Sequence, residues 1–105
     1  MVKNLTASEF ENEVLKSDIP VVVDCYADWC GPCKMMAPLV DAAANQYEGR
    51  VKFYKVNVDN EMGIATKYNV YSIPNFLFFK NGELVNTMVG ACPPDVFNAG
   101  VDKLL

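Results

Sequence analysis

The sequence predicts an α/β fold in which a central mixed β-sheet is flanked by about four helices on both faces. Segments with apolar residues at helical spacing alternate along the chain with short runs rich in β-branched and aromatic residues. Residues 21–27 are almost continuously apolar, as expected for a strand that is covered on both faces. The last two strands are separated by Asn81-Gly82, a dipeptide typical of hairpin turns, so parallel pairing is expected first and an antiparallel hairpin last.

Each element has its own signal in the sequence. Thr6 and Ser8 each precede a glutamate by three residues, the spacing of a capping box, and a short amphipathic helix follows that ends before Pro20. The other predicted elements are a strand at 21–27, a helix at 33–47 that contains Pro38, a strand at 51–58, a helix at 61–68, strands at 76–79 and 84–89, and a helix at 94–104.

Length, charge and composition exclude several classes of function. With 105 residues, we expect a single domain over 1–105. The net charge of −4 argues against nucleic acid or an anionic membrane as the main partner, because both are bound through basic patches. Neither a secretory signal nor an apolar run of spanning length is visible, so the expected location is the cytoplasm or an organelle matrix. Four cysteines in such a reducing compartment indicate redox or metal chemistry.

The candidate chemistry centres on the run Trp29-Cys30-Gly31-Pro32-Cys33, where the buried strand ends and the long helix begins. A separation of three residues places both sulfurs on one side of the first helical turn. The unpaired N–H groups and the dipole of a helix N-terminus favour negative charge there. We therefore expect Cys30 to be the exposed thiolate that attacks a disulfide, and Cys33 to be the more buried, protonated thiol that resolves the mixed disulfide.

Two other interpretations of the cysteine pair are weaker. As a structural staple, a disulfide across so short a loop removes only about 2 kcal/mol of unfolded-state entropy. A zinc site needs about four ligands, but the chain has no histidine, and Cys25 and Cys92 do not form a second such pair. Cys25 is expected to be a small buried hydrophobe. Cys92 lies on a loop, where it is either passive or, if exposed, open to glutathionylation or an intermolecular disulfide.

Over nearly its whole length the sequence resembles thioredoxins of the small single-domain type. The matching residues are Ala27-Asp28-Trp29-Cys30-Gly31-Pro32-Cys33-Lys34, Pro38, Val58-Asp59, Ser72-Ile73-Pro74, Lys80-Asn81-Gly82 and Val89-Gly90-Ala91. The resemblance implies the thioredoxin fold and the activity of a general protein disulfide reductase and electron carrier, recycled by a thioredoxin reductase with NADPH or another donor behind it. It implies a monomer whose partners are disulfide-containing proteins such as peroxiredoxins or ribonucleotide reductase. The dithiol itself would be the redox group, with no organic cofactor and no metal.

Two charged residues outside the motif are candidates for the same site. Asp24 interrupts an apolar strand, so we expect it to be buried with a raised pKa, the alternative being an edge carboxylate that faces solvent. The resemblance implies that Asp24 exchanges a proton with Cys33. It also implies that Lys55 lies near this acid and tunes it, although the residues alone allow a solvated surface lysine almost as well.

The resemblance further implies a substrate-binding surface. Pro74 matches a cis proline beside the dithiol, which would leave the backbone of Ile73 free to pair with an extended substrate. Asn75 stands where many relatives carry Thr, which puts a local hydrogen bond in doubt. The expected apolar docking surface around Cys30 consists of Trp29, Gly31, Pro32, Ile73, Pro74, Val89, Gly90 and Ala91. A core position for Trp29 and a purely conformational requirement for Gly90 are the alternatives.

Two other functions stay open at this point. A disulfide oxidase or isomerase domain on the same fold usually has a histidine between its cysteines and acts in oxidising compartments, whereas the pair here encloses Gly-Pro. An interaction subunit would use the docking surface without turnover.

Overall fold

The computed structural model describes residues 2–105, and its elements follow the predicted order after one additional strand. They are strand β1 (Lys3–Asn4), helix α1 (Ala7–Phe10) with a π-helical continuation (Glu11–Leu15), strand β2 (Val21–Tyr26), helix α2 (Gly31–Gln46), strand β3 (Lys52–Asn57), helix α3 (Met62–Lys67), strands β4 (Asn75–Lys80) and β5 (Glu83–Val89), and helix α4 (Pro94–Asp102). From β2 onward, the observed bounds lie within one or two residues of the predicted ones.

The five strands form one mixed sheet in the order β1-β3-β2-β4-β5. Strands β1 and β2 both pair in parallel with β3, whereas β4 pairs antiparallel with β2 and with β5. The predicted sequence of parallel pairing followed by an antiparallel hairpin is therefore confirmed. Strand β2, which leads into the cysteine motif, occupies the centre of the sheet.

Strand β1 was not predicted, so the expectation that the fold begins with a helix is wrong. Its two residues are exposed and polar, and they carry neither alternation nor β-branched residues. They form a strand because β3 offers a free edge, along which Lys3 pairs with Tyr54 and Asn4 pairs with Lys55.

Helices cover both faces of the sheet. On one face, apolar side chains of β2 and β4 pack with those of α2 and α4, among them Val22, Phe78 and Phe97. On the other face, Val23 packs with residues of α1 and α3 such as Phe10. Because side chains alternate along a strand, Asp24 projects to the same face as Val22, towards α2. None of the helices found in residues 2–105 is long and apolar enough to cross a bilayer.

The start of α1 and the hairpin confirm two local predictions. The backbone N–H of Thr6 donates to Oε1 of Glu9 at 3.0 Å, as in a capping box, and the helix begins at the next residue. In the hairpin, φ is +55° at Asn81 and +79° at Gly82, the pair of positive angles required by a two-residue type I′ turn.

Candidate active site

The candidate site lies where β2 passes into α2. Cys30 has extended backbone angles (φ −87°, ψ 109°) and is the N-cap residue of α2, and Pro32 follows in the first turn. Proline suits this position because an N–H there has no partner within the helix. The backbone N–H of Cys33 donates to the Sγ atom of Cys30 at 3.2 Å. The helix therefore directs one of its unpaired donors at the first sulfur of the motif.

Cys30 and Cys33 form a disulfide, with Cα atoms 5.3 Å apart. The expected difference in exposure between them is wrong for this oxidised form, since Cys30 is 4% exposed and Cys33 is 5% exposed. The reason lies in the loop before β4, because the carbonyl oxygen of Ile73 is 3.8 Å from the Sγ atom of Cys30. What distinguishes the two sulfurs is their position relative to the helix N-terminus, not their burial.

The loop before β4 contains the expected cis peptide bond, between Ile73 and Pro74. The carbonyl of Pro74 accepts a hydrogen bond from the N–H of Gly90 at 2.8 Å. Pro74 is buried directly before β4, whereas Ile73 and Gly90 are half-buried, so a role of Pro74 in the docking surface would be to shape it. Among residues 2–105, the backbone of Ile73 makes no hydrogen bond with other backbone groups. Its N–H is therefore free for another chain, whereas its C=O faces the Sγ atom of Cys30.

Most of the other residues assigned to the docking surface are exposed. Trp29 is 70% exposed and therefore does not belong to the core, and its Nε1–H donates to Oδ2 of Asp59 at 2.8 Å. Exposed side chains or backbone are also found at Gly31, Pro32, Val89 and Ala91. Sequence reasoning gave no role to Asp59, which lies 30 residues from Trp29. The only signal was its presence among the residues shared with thioredoxins.

Asp24 is 5% exposed, so the alternative of a solvent-facing edge carboxylate is wrong. Burial raises the pKa of Asp24 to about 7; the positive charge of Lys55 opposes this shift, and the negative charge of Asp41 adds to it. Within residues 2–105, Oδ1 of Asp24 is buried without a hydrogen-bond partner. The fold thus keeps, in the middle of its sheet, a carboxyl group that can gain or lose a proton near neutral pH.

A cavity of about 160 Å³ connects this carboxyl group with the dithiol. Its lining consists of Asp24, Tyr26, Ala27, Asp28, Cys33, Lys34, Ala37 and Lys55. A space of this size, with charged groups such as Asp24 and Lys55 in its lining, has room for water molecules. Lys55 is half-buried and is the register partner of Asp24 across β2 and β3, so it is not a freely solvated surface lysine.

The two remaining cysteines are free. Cys25 is fully buried in the core, as expected of a small hydrophobe, and burial raises the pKa of its thiol to about 12. Cys92 is half-buried before α4, and its N–H donates to the Sδ atom of Met36 at 3.5 Å. Burial, with a smaller contribution from Asp95, raises the pKa of the Cys92 thiol. Both thiols therefore resist ionisation at neutral pH.

Asn75, next to the cis peptide bond, is buried, and its Oδ1 has no hydrogen-bond partner among the described residues. The presence of Asn instead of Thr at this position put a local hydrogen bond in doubt, and the side-chain oxygen of Asn75 indeed makes none with the described residues. In the same part of the chain, 2–105, no three His, Cys, Asp or Glu side chains are grouped so that they could hold a metal ion.

Comparison with known proteins agrees with this geometry. The family model described as Thioredoxin matches residues 1–103. Thioredoxin 1 of Nostoc sp. is 48% identical over 101 residues, which cover 96% of this chain and 94% of that protein. Thioredoxin of Porphyra purpurea is 42% identical over 104 residues, which cover 99% and 97%. Chloroplastic thioredoxin M-type of Spinacia oleracea is 45% identical over 104 residues, and this chain spans 58% of its length.

These matches settle the fold and the chemistry of the cysteine pair. The mixed five-stranded sheet with four helices is the thioredoxin fold that the sequence predicted. The disulfide at the N-terminus of α2 is a redox-active Cys-x-x-Cys pair that performs dithiol–disulfide exchange, as in protein-disulfide oxidoreductases that a thioredoxin reductase recycles. On the combined grounds of family match, identity and site, the chain belongs to the thioredoxin family.

Proposed function

We propose that the protein is a general protein disulfide reductase in which Cys30 is the nucleophile and Cys33 the resolving thiol. One observation carries the assignment of roles: the N–H of Cys33 donates to the Sγ atom of Cys30 at the N-terminus of α2. A helix N-terminus favours the thiolate, which is the reactive form of cysteine, and thioredoxins are a known case of this effect. Cys30 is placed to receive this stabilisation.

The reaction has two exchange steps. In the first step, the Cys30 thiolate attacks one sulfur of the target disulfide, a bond forms between these two sulfurs, and the other target sulfur leaves as a thiolate. In the second step, Cys33 loses its proton and attacks Sγ of Cys30, which releases the second target thiolate. The Cys30–Cys33 disulfide forms, and two electrons have passed from the dithiol to the target. A thioredoxin reductase then returns the pair to the dithiol.

Asp24 is the proposed acceptor of the Cys33 proton. Both residues line the same cavity, which has room for a bridging water molecule. A general base works best when its pKa is close to the working pH, and burial raises the pKa of Asp24 to about 7. Lys55 is proposed to tune this group, because its charge opposes the effect of burial on Asp24.

The proposed substrates are disulfide-bearing proteins that dock around Cys30. The backbone of Ile73, which makes no hydrogen bond with other backbone groups of residues 2–105, is suited to pairing with an extended segment of such a protein, because main-chain hydrogen bonds recognise a strand whatever its side chains. The exposed indole of Trp29 and the exposed side chain of Val89 provide apolar contact beside it. Peroxiredoxins and ribonucleotide reductase are examples of the proposed targets.

We further propose that the protein acts as a monomer in the cytoplasm, without an organic cofactor or a metal, and that nucleic acids and membranes are not its partners. The negative net charge supports the last point, and the two free cysteines suit a reducing compartment. Because the spinach relative is chloroplastic, an organelle is the alternative location. Cell fractionation distinguishes the two locations.

The assignment of the two cysteines is tested by trapping the mixed disulfide. In the Cys33→Ser variant the second step cannot occur, so covalent adducts with target proteins should accumulate, and peptide mass spectrometry should place them on Cys30. The Cys30→Ser variant should form no such adducts and should not reduce a model protein disulfide. Cys92→Ser is the matched control, and its reductase activity should equal that of the unaltered protein. Adducts on Cys92, or disulfide reduction by Cys30→Ser, would contradict the proposal.

A further inference from the structure

Three neighbouring strands place Asn4, Lys55 and Asp24 side by side. Asn4 pairs with Lys55 between β1 and β3, and Asp24 pairs with Lys55 between β2 and β3, both in parallel register. Tyr26 follows Asp24 by two residues on β2, so its side chain leaves the same face of the sheet. Asp24, Lys55 and Tyr26 also line the cavity that reaches Cys33.

The side chain of Tyr26 extends across β3 above Lys55. Its hydroxyl donates to Oδ1 of Asn4 at 2.8 Å, and Asn4 lies on β1, beyond β3. The Nζ atom of Lys55 is 5.4 Å from the centre of the Tyr26 ring. This distance is within the range of a cation–π contact. The ring is therefore fixed at both ends, by its own strand and by its hydroxyl, with the ammonium group against it.

The position of Lys55 is notable because a free acceptor lies nearby. Oδ1 of Asp24 is buried without a hydrogen-bond partner among residues 2–105. Within the same residues, Lys55 and Asp24 form no ion pair with an N–O distance of 4.0 Å or less. A flexible ammonium group that could approach the carboxylate of its register partner instead lies against an aromatic ring.

We propose that Tyr26 is a positioning residue for Lys55: its ring, tethered to Asn4, holds the ammonium group at the cavity wall and away from direct contact with Asp24. The inference rests on the proposed role of Asp24 as proton acceptor. A carboxylate bonded directly to an ammonium group holds a proton weakly, and it would be a poor acceptor for the proton of Cys33. Keeping the two groups apart leaves Asp24 able to take up that proton near neutral pH.

The other ionisable groups around Asp24 come from several elements. Apart from Lys55 on β3, Cys33, Lys34 and Asp41 belong to α2, and Asp28 precedes it. None of these groups is altered by a substitution at Tyr26. A change in the titration of Asp24 after such a substitution therefore reports on the ring and on Lys55.

The test is a pH titration of the Asp24 carboxyl carbon by NMR in oxidised Tyr26→Leu. With both active-site thiols in the disulfide and no histidine in the chain, no other side chain has an ordinary pKa between pH 5 and 8. Leucine keeps an apolar side chain over the cavity but removes the aromatic face and the hydroxyl. The pKa of Asp24 should fall by about one unit, because a released Lys55 can bond its free oxygen. An unchanged or raised pKa of Asp24 would overturn the proposal.

A second pair of proteins, both carrying Lys55→Met, separates the effect of Lys55 on the pKa of Asp24 from the effect of water entering the cavity. In Lys55→Met, the further substitution Tyr26→Leu should leave the pKa of Asp24 where Lys55→Met alone sets it. A fall of the same size in this background would mean that the ring acts only by covering the cavity, and would overturn the proposal. Because the carbon is observed directly, this result does not depend on whether Asp24 takes part in catalysis. That role is tested by the activity of Asp24→Asn.

The hydrogen bond from Tyr26 to Asn4 is tested by a separate pair of variants. Tyr26→Phe keeps the ring and removes only the hydroxyl, and Asn4→Ala removes the same hydrogen bond from its acceptor side. Both should shift the pKa of Asp24 downwards, by equal amounts and by less than Tyr26→Leu. Tyr26→Phe also keeps the test available if the leucine variant does not fold. Unequal shifts in the pKa of Asp24, or no shift in either variant, would contradict the proposal that the hydrogen bond to Asn4 holds the Tyr26 ring in place.

Discussion

At the scale of single residues, Asp24 differs from every neighbour in β2, since a carboxyl group here takes the place of a hydrophobic side chain. Its ordinary pKa is 3.8, and burial raises the pKa in the folded protein to about 7. Between these two values the unfolded chain has lost the proton that the folded chain keeps. The contribution of Asp24 to stability therefore falls as the pH rises from about 4 to about 7 and changes no further above that range, a total loss of about 4 kcal/mol.

Asp24→Asn should remove this pH dependence. The amide has a similar shape and no charge, so the variant should be more stable than the unaltered protein at pH 8, by about 2–4 kcal/mol. At pH 4 the two proteins should differ much less. Urea unfolding of both oxidised proteins at the two pH values measures the difference. An equal difference at pH 4 and pH 8 would show that the carboxylate is not the cause.

The same substitution tests the catalytic role of Asp24. Without a proton acceptor beside Cys33, the resolving step should slow near neutral pH while the protein stays folded. The loss should be about 100-fold, the lower end of the range for one general base. The measurement is the rate of disulfide reduction as a function of pH. A pH–rate profile identical to that of the unaltered protein would count against proton transfer by Asp24.

At the scale of elements, the β4–β5 turn packs against the end of the first helical segment. Gly82 has φ +79°, and a Cβ atom built on it would lie 2.6 Å from the carbonyl oxygen of Leu15. Gly49, after α2, has a similar φ of +83° but no atom within 4 Å of such a Cβ. The two glycines therefore share the same backbone conformation and differ in the space beside it.

Gly82→Ala should cost more stability than Gly49→Ala for this reason. The Gly49→Ala variant should lose about 1 kcal/mol, the cost of a left-handed conformation for an L-residue. Gly82→Ala should lose about 1–3 kcal/mol more, because the backbone at Leu15 must move. Urea unfolding of the three proteins gives the comparison. Equal losses would mean that the turn does not pack tightly against Leu15.

At the scale of the whole molecule, the sequence predicted the features that depend on local patterns. The alternation of helices and strands follows from hydrophobic periodicity, the hairpin from Asn81-Gly82, and the start of α2 from the position of the cysteine motif. The cis bond before Pro74 has no local signal, because the same dipeptide is usually trans, and it was expected only from the resemblance to thioredoxins.

Features that depend on contacts distant in sequence were predicted only where the resemblance to thioredoxins implied them, as for Lys55 beside Asp24. Strand β1 exists because β3 offers it an edge, and Cys30 is buried because the loop at Ile73 folds over it. The hydrogen bond from Tyr26 to Asn4 joins residues 22 positions apart. No pattern within one segment records such contacts, since they arise only when the sheet has formed.

The central claim is that the N-terminus of α2 makes Cys30 the thiolate and leaves Cys33 protonated. The most direct test is alkylation of the reduced protein at a series of pH values, with the labelled cysteine identified by peptide mass spectrometry. Cys92 serves as an internal reference, because burial raises the pKa of its thiol. The account predicts that Cys30 is labelled rapidly at pH 7, while Cys33 and Cys92 are labelled slowly. Equal labelling of Cys30 and Cys33 at every pH, or faster labelling of Cys33, would contradict it.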